Sequence, residues 1–512
     1  MDSDSKVKNV ARNTMMGVFN NLVLVALNLI SRRLFLRFIG IEYLSIGQII
    51  NNILGILAFS ELGVTNSVLY MLYRPVAEGD KEKIARIVGS YKKINRAIGC
   101  VLFALGLVCL PFLSKFINTS ISINTVRLVY LMNLLYSASS YFCSYRQVLI
   151  NANQKSYIIS RVSLMVNFMS IVVQCAVIYI THNYLLYLAV TIVMGLVQNI
   201  IIYRIAGNMF PFLKEYHRYR LEKQESRQLA ENVKSLFSVK ICGIVINNTD
   251  NILVSMVNTL MVGYCANYTI ISTRIRGIIT IFHNSIMYSM GIASVEKGSE
   301  EKYILFKKFL LINTFLAGFT SFLMGVLWDD FIILWLGPDY LIPKIVFYSI
   351  LLNYYWVIVT AGIWIFRDTN GLFVYVKRML LVNAILNLVI SVILGRLMGV
   401  AGVYYATIIA DVLSNFWFDA KLVYEKLFQK RAFWKYNTYI LLNAIGVLFL
   451  VTGMKRLVSM LDVSIAMWLV KAAISAIVYI VLFILLYGRT DTFKNIVQTI
   501  IMPRMRKMRK KS

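Results

Sequence analysis

At 512 residues, with 59% hydrophobic side chains and a mean hydropathy of +0.68, the chain is far more apolar than a soluble domain, which runs at about 45–50%. The apolar residues gather in runs of about twenty or more, the length that crosses a bilayer core, which excludes a soluble enzyme and points to a polytopic all-α membrane protein. The net charge of +29 lies in short connections between those runs, where it orients a membrane protein, and not on a face suited to nucleic acid.

In chain order the pattern predicts about fourteen helical spans, near 14–37, 44–73, 94–117, 126–149, 157–181, 184–206, 234–257, 264–292, 304–327, 343–366, 372–396, 400–425, 437–457 and 464–487. "MDSDSKVKNVARN" runs straight into the first span with no short apolar core and cleavage site, so no cleavable signal peptide is expected. The six cysteines (Cys100, Cys109, Cys143, Cys175, Cys242 and Cys265) are scattered without a C-x-x-C pair and read as helix-packing residues. The longest hydrophilic connection, 207–233, is too short for a soluble catalytic domain. Asp329 and Asp330, in "WDDFIILWLGPDYLIP", read as a solvated outer loop end; the alternative is a metal–phosphate site such as a membrane glycosyltransferase needs.

With the N-terminus placed in the cytoplasm, 40 Lys and Arg fall on cytoplasmic segments, 9 on outer segments and four (Lys240, Arg274, Arg276 and Lys471) inside spans. That asymmetry places both termini in the cytoplasm and implies an even number of spans. The basic tail "PRMRKMRKKS" then faces anionic inner-leaflet lipid.

A faint internal repeat is present. Tyr43 and Tyr264 lie 221 residues apart in similar surroundings, and Thr191 and Asn199 match Thr407 and Asn415 at an offset of 216. Spans one to six therefore read as repeated in spans seven to twelve. The expected organisation is an N-terminal lobe (1–206), a cytoplasmic linker (207–233), a C-terminal lobe (234–428) and two appended spans with the basic tail (429–512). Duplicated helical bundles around a central site are a transporter plan.

Polar side chains in spans must face protein or a watery cavity. Stripes at helical spacing occur in span one (Asn13, Asn20, Asn21, Asn28, Ser31), span two (Ser45, Gln48, Asn52, Asn66, Tyr70) and span seven (Lys240, Asn247, Asp250, Asn251, Ser255, Asn258). Span eight carries Thr269, Ser272, Thr273, Arg276, Thr280, His283 and Asn284, and span twelve Tyr404, Thr407, Asp411, Ser414 and Asn415. Five stripes suggest a hydrated cavity between two lobes; packing alone is the other reading. Asp250 and Arg276 sit on stripes, whereas Arg274 is about 200° round the helix from Arg276. His283 reads as a helix contact, and Lys471 as a residue that snorkels outward. Glu61 points away from its stripe, towards small residues, and is either a structural partner or a coupling-cation ligand. No phosphate loop, H-E-x-x-H or G-x-S-x-G occurs, so neither an enzyme nor a cofactor is expected.

The segment "LISRRLFLRFIGIEYLSIGQIINNILGILAFSELGVTNSVLYMLYRPVAEGDKEKI" (29–84) resembles the first spans of bacterial Wzx-type polysaccharide flippases, of the MOP superfamily that also holds multidrug extruders and lipid II flippases. Glu61-Leu62-Gly63 corresponds to that family's acid-Leu-Gly motif. "SYRQVLINANQKSYIISR" (144–161), "NNTDNILVSMVNTLMVGYCANYTII" (247–271), "FRDTNGLF" (366–373) and "NAILNLVISVILGRLMGVAGVYYATII" (383–409) extend the likeness over essentially the whole chain. Arg274 and Arg276 depart from it, since relatives commonly carry uncharged residues there. The resemblance implies a MATE-like fold of two six-helix lobes plus two C-terminal helices. It also implies alternating access and a polyprenyl-diphosphate-linked oligosaccharide as cargo, flipped from inner to outer leaflet for surface polysaccharide assembly. On this reading Arg276, Arg274 and, at the outer mouth, Arg32, Arg33 and Arg37 hold phosphate or acidic sugar, assisted by Asn20, Asn28, Asn52, Asn247 and Asn251. Asp250, Glu61 and Asp411 exchange H⁺ or Na⁺. The partners implied are the lipid-linked oligosaccharide, the bilayer of a bacterial cell membrane, and the polymerase and glycosyltransferases of the same pathway, with no nucleic acid and no resident metal. A multidrug cation antiporter and a lipid II or teichoic-type precursor flippase are the alternatives from the same superfamily.

Overall fold

The computed structural model describes residues 23, 25–58, 64–215, 224–227, 231, 249–296, 298–372 and 375–498. Among them the chain forms helices and no strands, in two compact units, Met1–Gly263 and Tyr264–Ser512.

Unit one contains α1 (25–38), α2 (Ile41–Leu57), α3 (Val64–Glu78), α4 (Lys81–Cys109), α5 (Ile123–Ser144), α6 (Gln147–Ala152), α7 (Ser156–Thr181), α8 (Tyr184–Met209) and α9 (249–257). The connections are short because polar side chains stop and start the helices. Asp80 caps α4 by accepting from Lys83 N at 2.9 Å, Ser122 caps α5 through Thr125 N at 3.3 Å, and Asn183 caps α8 through Leu185 N at 2.8 Å. The connection between α4 and α5 is pinned. Thr259 Oγ accepts from Asn118 N at 2.9 Å, and Glu42 accepts from Thr119 Oγ and from Ser120 N at 2.6 Å. Partial burial opposes ionisation of Glu42, but the Thr119 and Ser120 hydrogen bonds outweigh it, and its carboxyl titrates below the ordinary value.

Unit two contains α10 (Thr259–Glu296, whose first turn belongs to unit one), α11 (Ser299–Trp335), α12 (Lys344–Thr369), α13 (Lys377–Met398), α14 (Val400–Leu413), α15 (Asn415–Lys426), α16 (Phe433–Val458), α17 (Ile465–Tyr487) and α18 (Asp491–Ile496). Helices α16 and α17, the two appended spans of the sequence reading, pack on α11. Eight of the described helical stretches are long and apolar enough to cross a membrane, and α2 is a shorter apolar helix.

The burial pattern is that of a chain solvated by lipid. On α13 the buried residues are Asn383, Ala384, Asn387, Ser391 and Gly395, while Leu381, Ile385, Leu388 and Val392 are exposed. Ser170 and Gln174 are likewise buried on α7, and Lys471 and Ser475 on α17. In hydrocarbon the large apolar side chains face outward without cost, and polar ones turn inward to find partners. Helices α11 and α12 differ: 61% and 72% of their apolar stretches are buried, against 17% for α8, so they form the inside of unit two.

Three readings of the sequence are corrected here. Asp329 and Asp330 are not a loop end. Helix α11 continues through them because each carboxylate meets a lysine: Lys455 Nζ lies 2.6 Å from Asp329, and Lys471 Nζ 2.6 Å from Asp330. Lys471 is therefore 2% exposed and paired inside the unit instead of snorkelling outward. Span twelve is not one helix either. It breaks at Ser414, whose φ of −130° and ψ of −92° separate α14 from α15. His283 is the helix contact expected, its Nε2 lying 2.8 Å from Asn313 Oδ1.

Candidate functional sites

Each unit contains a polar hollow. In unit one, α1 presents Asn28, Ser31, Arg32 and Phe35, spaced three or four apart on one face. α2 adds Tyr43, Gly47, Gln48 and Asn51 with the same spacing, and α5 and α8 close a cavity of about 310 Å³ with Asn133, Tyr136, Tyr184, Tyr187 and Thr191. The aromatic wall is continuous: Tyr43 and Tyr184 rings are 4.5 Å apart, and Phe35 lies 5.1 Å from Tyr187. Among the described residues the one Lys or Arg in this lining is Arg32, and no acid joins it. Amide groups and tyrosine rings around one guanidinium form a lining suited to an anion, or to a sugar carrying one.

In unit two a smaller hollow of about 160 Å³ lies among Thr360, Ile363, Trp364 and Arg367 of α12, Leu380 of α13, and Asp411, Asn415, Phe416 and Asp419 of α14 and α15. Asp411 accepts from Trp356 Nε1 at 2.7 Å and from Asn383 Nδ2 at 3.1 Å. Arg367 bridges two acids, at 2.7 Å from both Asp368 and Asp419. The break at Ser414 brings the C-terminal end of α14, the negative end of its dipole, to the Asp411 carboxylate. Close by, the buried Asn387 donates to Thr407 Oγ at 3.0 Å, and its Oδ1 has no hydrogen-bond partner among the described residues. Carboxylate and amide oxygens at a helix break form a donor set suited to a small cation.

Tight packing holds this second hollow. Gly399, with φ +63° and ψ −144°, turns the chain between α13 and α14 in a conformation open to glycine, and a Cβ on Gly402 would stand 2.0 Å from Leu394 O. The two helices therefore approach closely enough for Asn383 and Asn387 to reach Asp411 and Thr407.

The sequence-predicted residues divide as follows. Asn28 and Arg32 share the unit-one cavity, and Asp411 lines the unit-two hollow. Arg32 thus stands inside the helical bundle, while Arg33 and Arg37 are exposed. Asn52 donates to Gln48 O in its own helix at 2.6 Å, and its neighbour Asn51 lines the cavity. Arg274 is half-buried and Arg276 exposed on α10; Asp250 and Asn251 are half-buried on α9. Asn20, Glu61 and Asn247 lie outside the described residues. Sequence reasoning missed Arg367, Asn383, Asn387 and Asp419. The i, i+4 repeat of Asn383, Asn387 and Ser391 was a legible signal for two of them, since buried polar stripes mark the inward face of a lipid-solvated helix.

No protein-family model matches the sequence, and no curated protein matches it significantly. Solved structures do. The chain is similar to a lipid II flippase, MurJ, in an inward closed conformation, with a TM-score of 0.64 and 14% identity over 93% of this chain and 98% of that one. It is similar to an inward-facing multidrug resistance MATE-family transporter of the MOP superfamily, with a TM-score of 0.55 and 10% identity over 77% of this chain and 95% of that one. It is also similar to a point mutant of the Vibrio cholerae MATE transporter VcmN, with a TM-score of 0.53 and 11% identity over 84% of this chain and 99% of that one. The chain therefore has the all-α, polytopic fold found in MOP-superfamily flippases and transporters.

Proposed function

We propose that the protein is a flippase for a lipid-linked oligosaccharide, moving a polyprenyl diphosphate carrier and its sugars between leaflets by alternating access of its two lobes. The observation that carries this reading is the unit-one cavity, where Arg32 stands among tyrosine rings and amides with no acid among the described residues of the lining. A guanidinium holds phosphate or uronate oxygens by charge-assisted hydrogen bonds, and tyrosines and amides suit sugar faces and hydroxyls. Asp411, at the break between α14 and α15, exchanges H⁺ or Na⁺ and couples transport to an ion gradient. The charge on Asp250 assists on α9. Arg274 and Arg276 extend the cargo path, with Arg33 and Arg37 at its outer mouth. Both termini lie in the cytoplasm of a bacterial cell, as the Lys and Arg distribution favours. The polymerase and glycosyltransferases of the same pathway are the expected partners.

A multidrug antiporter is the second reading, favoured by the likeness to two MATE transporters. Those likenesses cover 77% and 84% of this chain, against 93% for the flippase, which supports the first reading. The test is translocation of a fluorescent polyprenyl-diphosphate oligosaccharide in proteoliposomes. Wild-type protein should move it, and Arg32→Gln should slow it by about tenfold or more, the worth of one charged hydrogen bond. Export of an organic cation with no movement of the lipid-linked sugar would reverse the order of the two readings.

A further inference from the structure

Unit one carries a second hollow, separate from the Arg32 cavity and larger, at about 410 Å³. It lies where α4 begins, on the face presenting Ala85, Val88, Gly89, Lys92 and Arg96 at helical spacing, with Lys93 at its edge. Tyr145 and Arg146, at the turn between α5 and α6, form the opposite wall, and Leu213 closes it. Four cations thus line one hollow, and among the described residues its lining contains no acid. Glu225 meets α4 outside it, 4.0 Å from Lys83. Among the described residues none of the four is in an ion pair.

Aromatic rings hold these cations in place. The Arg146 guanidinium stacks 3.9 Å from the Tyr203 ring centre and 5.8 Å from that of Tyr145, and Lys92 Nζ lies 5.7 Å from Tyr145. Arg146 Nη1 donates to Tyr203 O at 3.5 Å, and among the described residues its buried Nε has no hydrogen-bond partner. Glycine at 207 makes room for the guanidinium, since a Cβ there would stand 2.6 Å from Nη1. Holding four positive groups together raises the free energy of the hollow unless an anion joins them, and a fixed guanidinium beside two lysines matches phosphate oxygens. The apolar floor of Val88 and Leu213, and a volume well above that of a bare ion, leave room for the group that carries the phosphate.

We propose that this hollow is a phosphate-binding site, taking the phosphate of an anionic phospholipid headgroup or free phosphate. Its place beside the start of a span, at the end the charge distribution assigns to the cytoplasm, puts it at headgroup level. The site does not depend on the flippase reading, because its test measures binding alone.

The experiment titrates full-length protein, purified in a neutral detergent, with dioctanoyl phosphatidylglycerol, dioctanoyl phosphatidylcholine and inorganic pyrophosphate, following binding by thermophoresis. Saturable binding of phosphatidylglycerol over phosphatidylcholine, weakened about tenfold by Arg146→Gln or Lys92→Gln and unchanged by Lys115→Gln, supports a lipid headgroup site. Saturable binding of pyrophosphate with the same mutant sensitivity supports a free phosphate site. Gly207→Ala keeps every charge while displacing the guanidinium and should also weaken binding, so loss of folding in a charge variant leaves the idea testable. Binding that ignores Arg146→Gln, Lys92→Gln and Gly207→Ala alike, or no saturable binding of either anion, overturns the proposal.

Discussion

The polar cores of the two units share a frame and differ in charge. In unit one Gln174 Nε2 donates to Thr191 Oγ at 2.9 Å; in unit two Asn387 Nδ2 donates to Thr407 Oγ at 3.0 Å. The 216-residue offset that relates Thr191 to Thr407 also relates Gly195 to Asp411. Each of those positions faces an aromatic residue of the preceding inner helix. A Cβ on Gly195 would stand 2.2 Å from Tyr136 Oη, and Asp411 takes a hydrogen bond from Trp356. Where unit two has a carboxylate, unit one has no side chain, and its adjoining cavity holds Arg32 instead. The unit-one cavity thus presents a guanidinium to an anion, while the unit-two hollow presents Asp411 and Asp419 beside Arg367, a division of charge on which the proposed coupling of an anionic cargo to a cation rests.

Placing an acid in unit one should break the comparison most severely. Gly195→Asp would drive a carboxylate into the Tyr136 ring and is expected to cost more than about 3 kcal/mol through overpacking and an unpaired charge. Thermal unfolding in detergent measures this, and pairing the change with Tyr136→Ala should recover part of the loss. Arg367→Met comes next. It leaves Asp419, 5% exposed, without its partner and should cost about 3–5 kcal/mol, whereas Arg367→Met with Asp419→Leu should fall near wild type. A double variant as unstable as the single one would show that the pair does more than neutralise itself.

The two threonines sharpen the comparison. Thr407→Val strands the amide of Asn387, which is 0% exposed, and should cost about 1–3 kcal/mol. Thr191→Val should cost less, because the cavity beside Thr191 lets water replace the lost acceptor. Equal losses would mean that the unit-one cavity is dry. The smallest effect belongs to Glu42. Its carboxyl titrates below the ordinary value in the folded chain, so its contribution is present above the unfolded value of about 4.3 and is lost as pH falls through the folded one. Glu42→Gln should narrow the gap in thermal stability between pH 6 and pH 3, and an unchanged gap would remove Glu42 from the account.

The fold was largely legible because lipid makes long apolar runs unambiguous, and the described helices follow the expected spans. The exceptions have local causes. Asp329 and Asp330 look like a loop until Lys455 and Lys471, more than a hundred residues on, arrive to neutralise them. The break at Ser414 has no Pro or Gly to announce it. At the sites, Arg32 was expected at an outer mouth and instead lines the unit-one cavity, whereas Asn28 and Asp411 were legible from helical spacing. The Arg367–Asp419 pair was not, because a cation counted as part of a connecting loop gives no hint of the buried acid it meets. The Arg146 hollow was not legible either, since its walls come from segments distant in sequence.

The division of charge between the halves is tested most directly by translocation of the lipid-linked oligosaccharide in proteoliposomes, measured with and without an imposed H⁺ or Na⁺ gradient. Arg32→Gln should depress movement under every condition, while Asp411→Asn should keep the gradient-free rate and lose the stimulation. Asp411→Asn protein that responds to the gradient as wild type does, or two variants that fail in the same way, would contradict it.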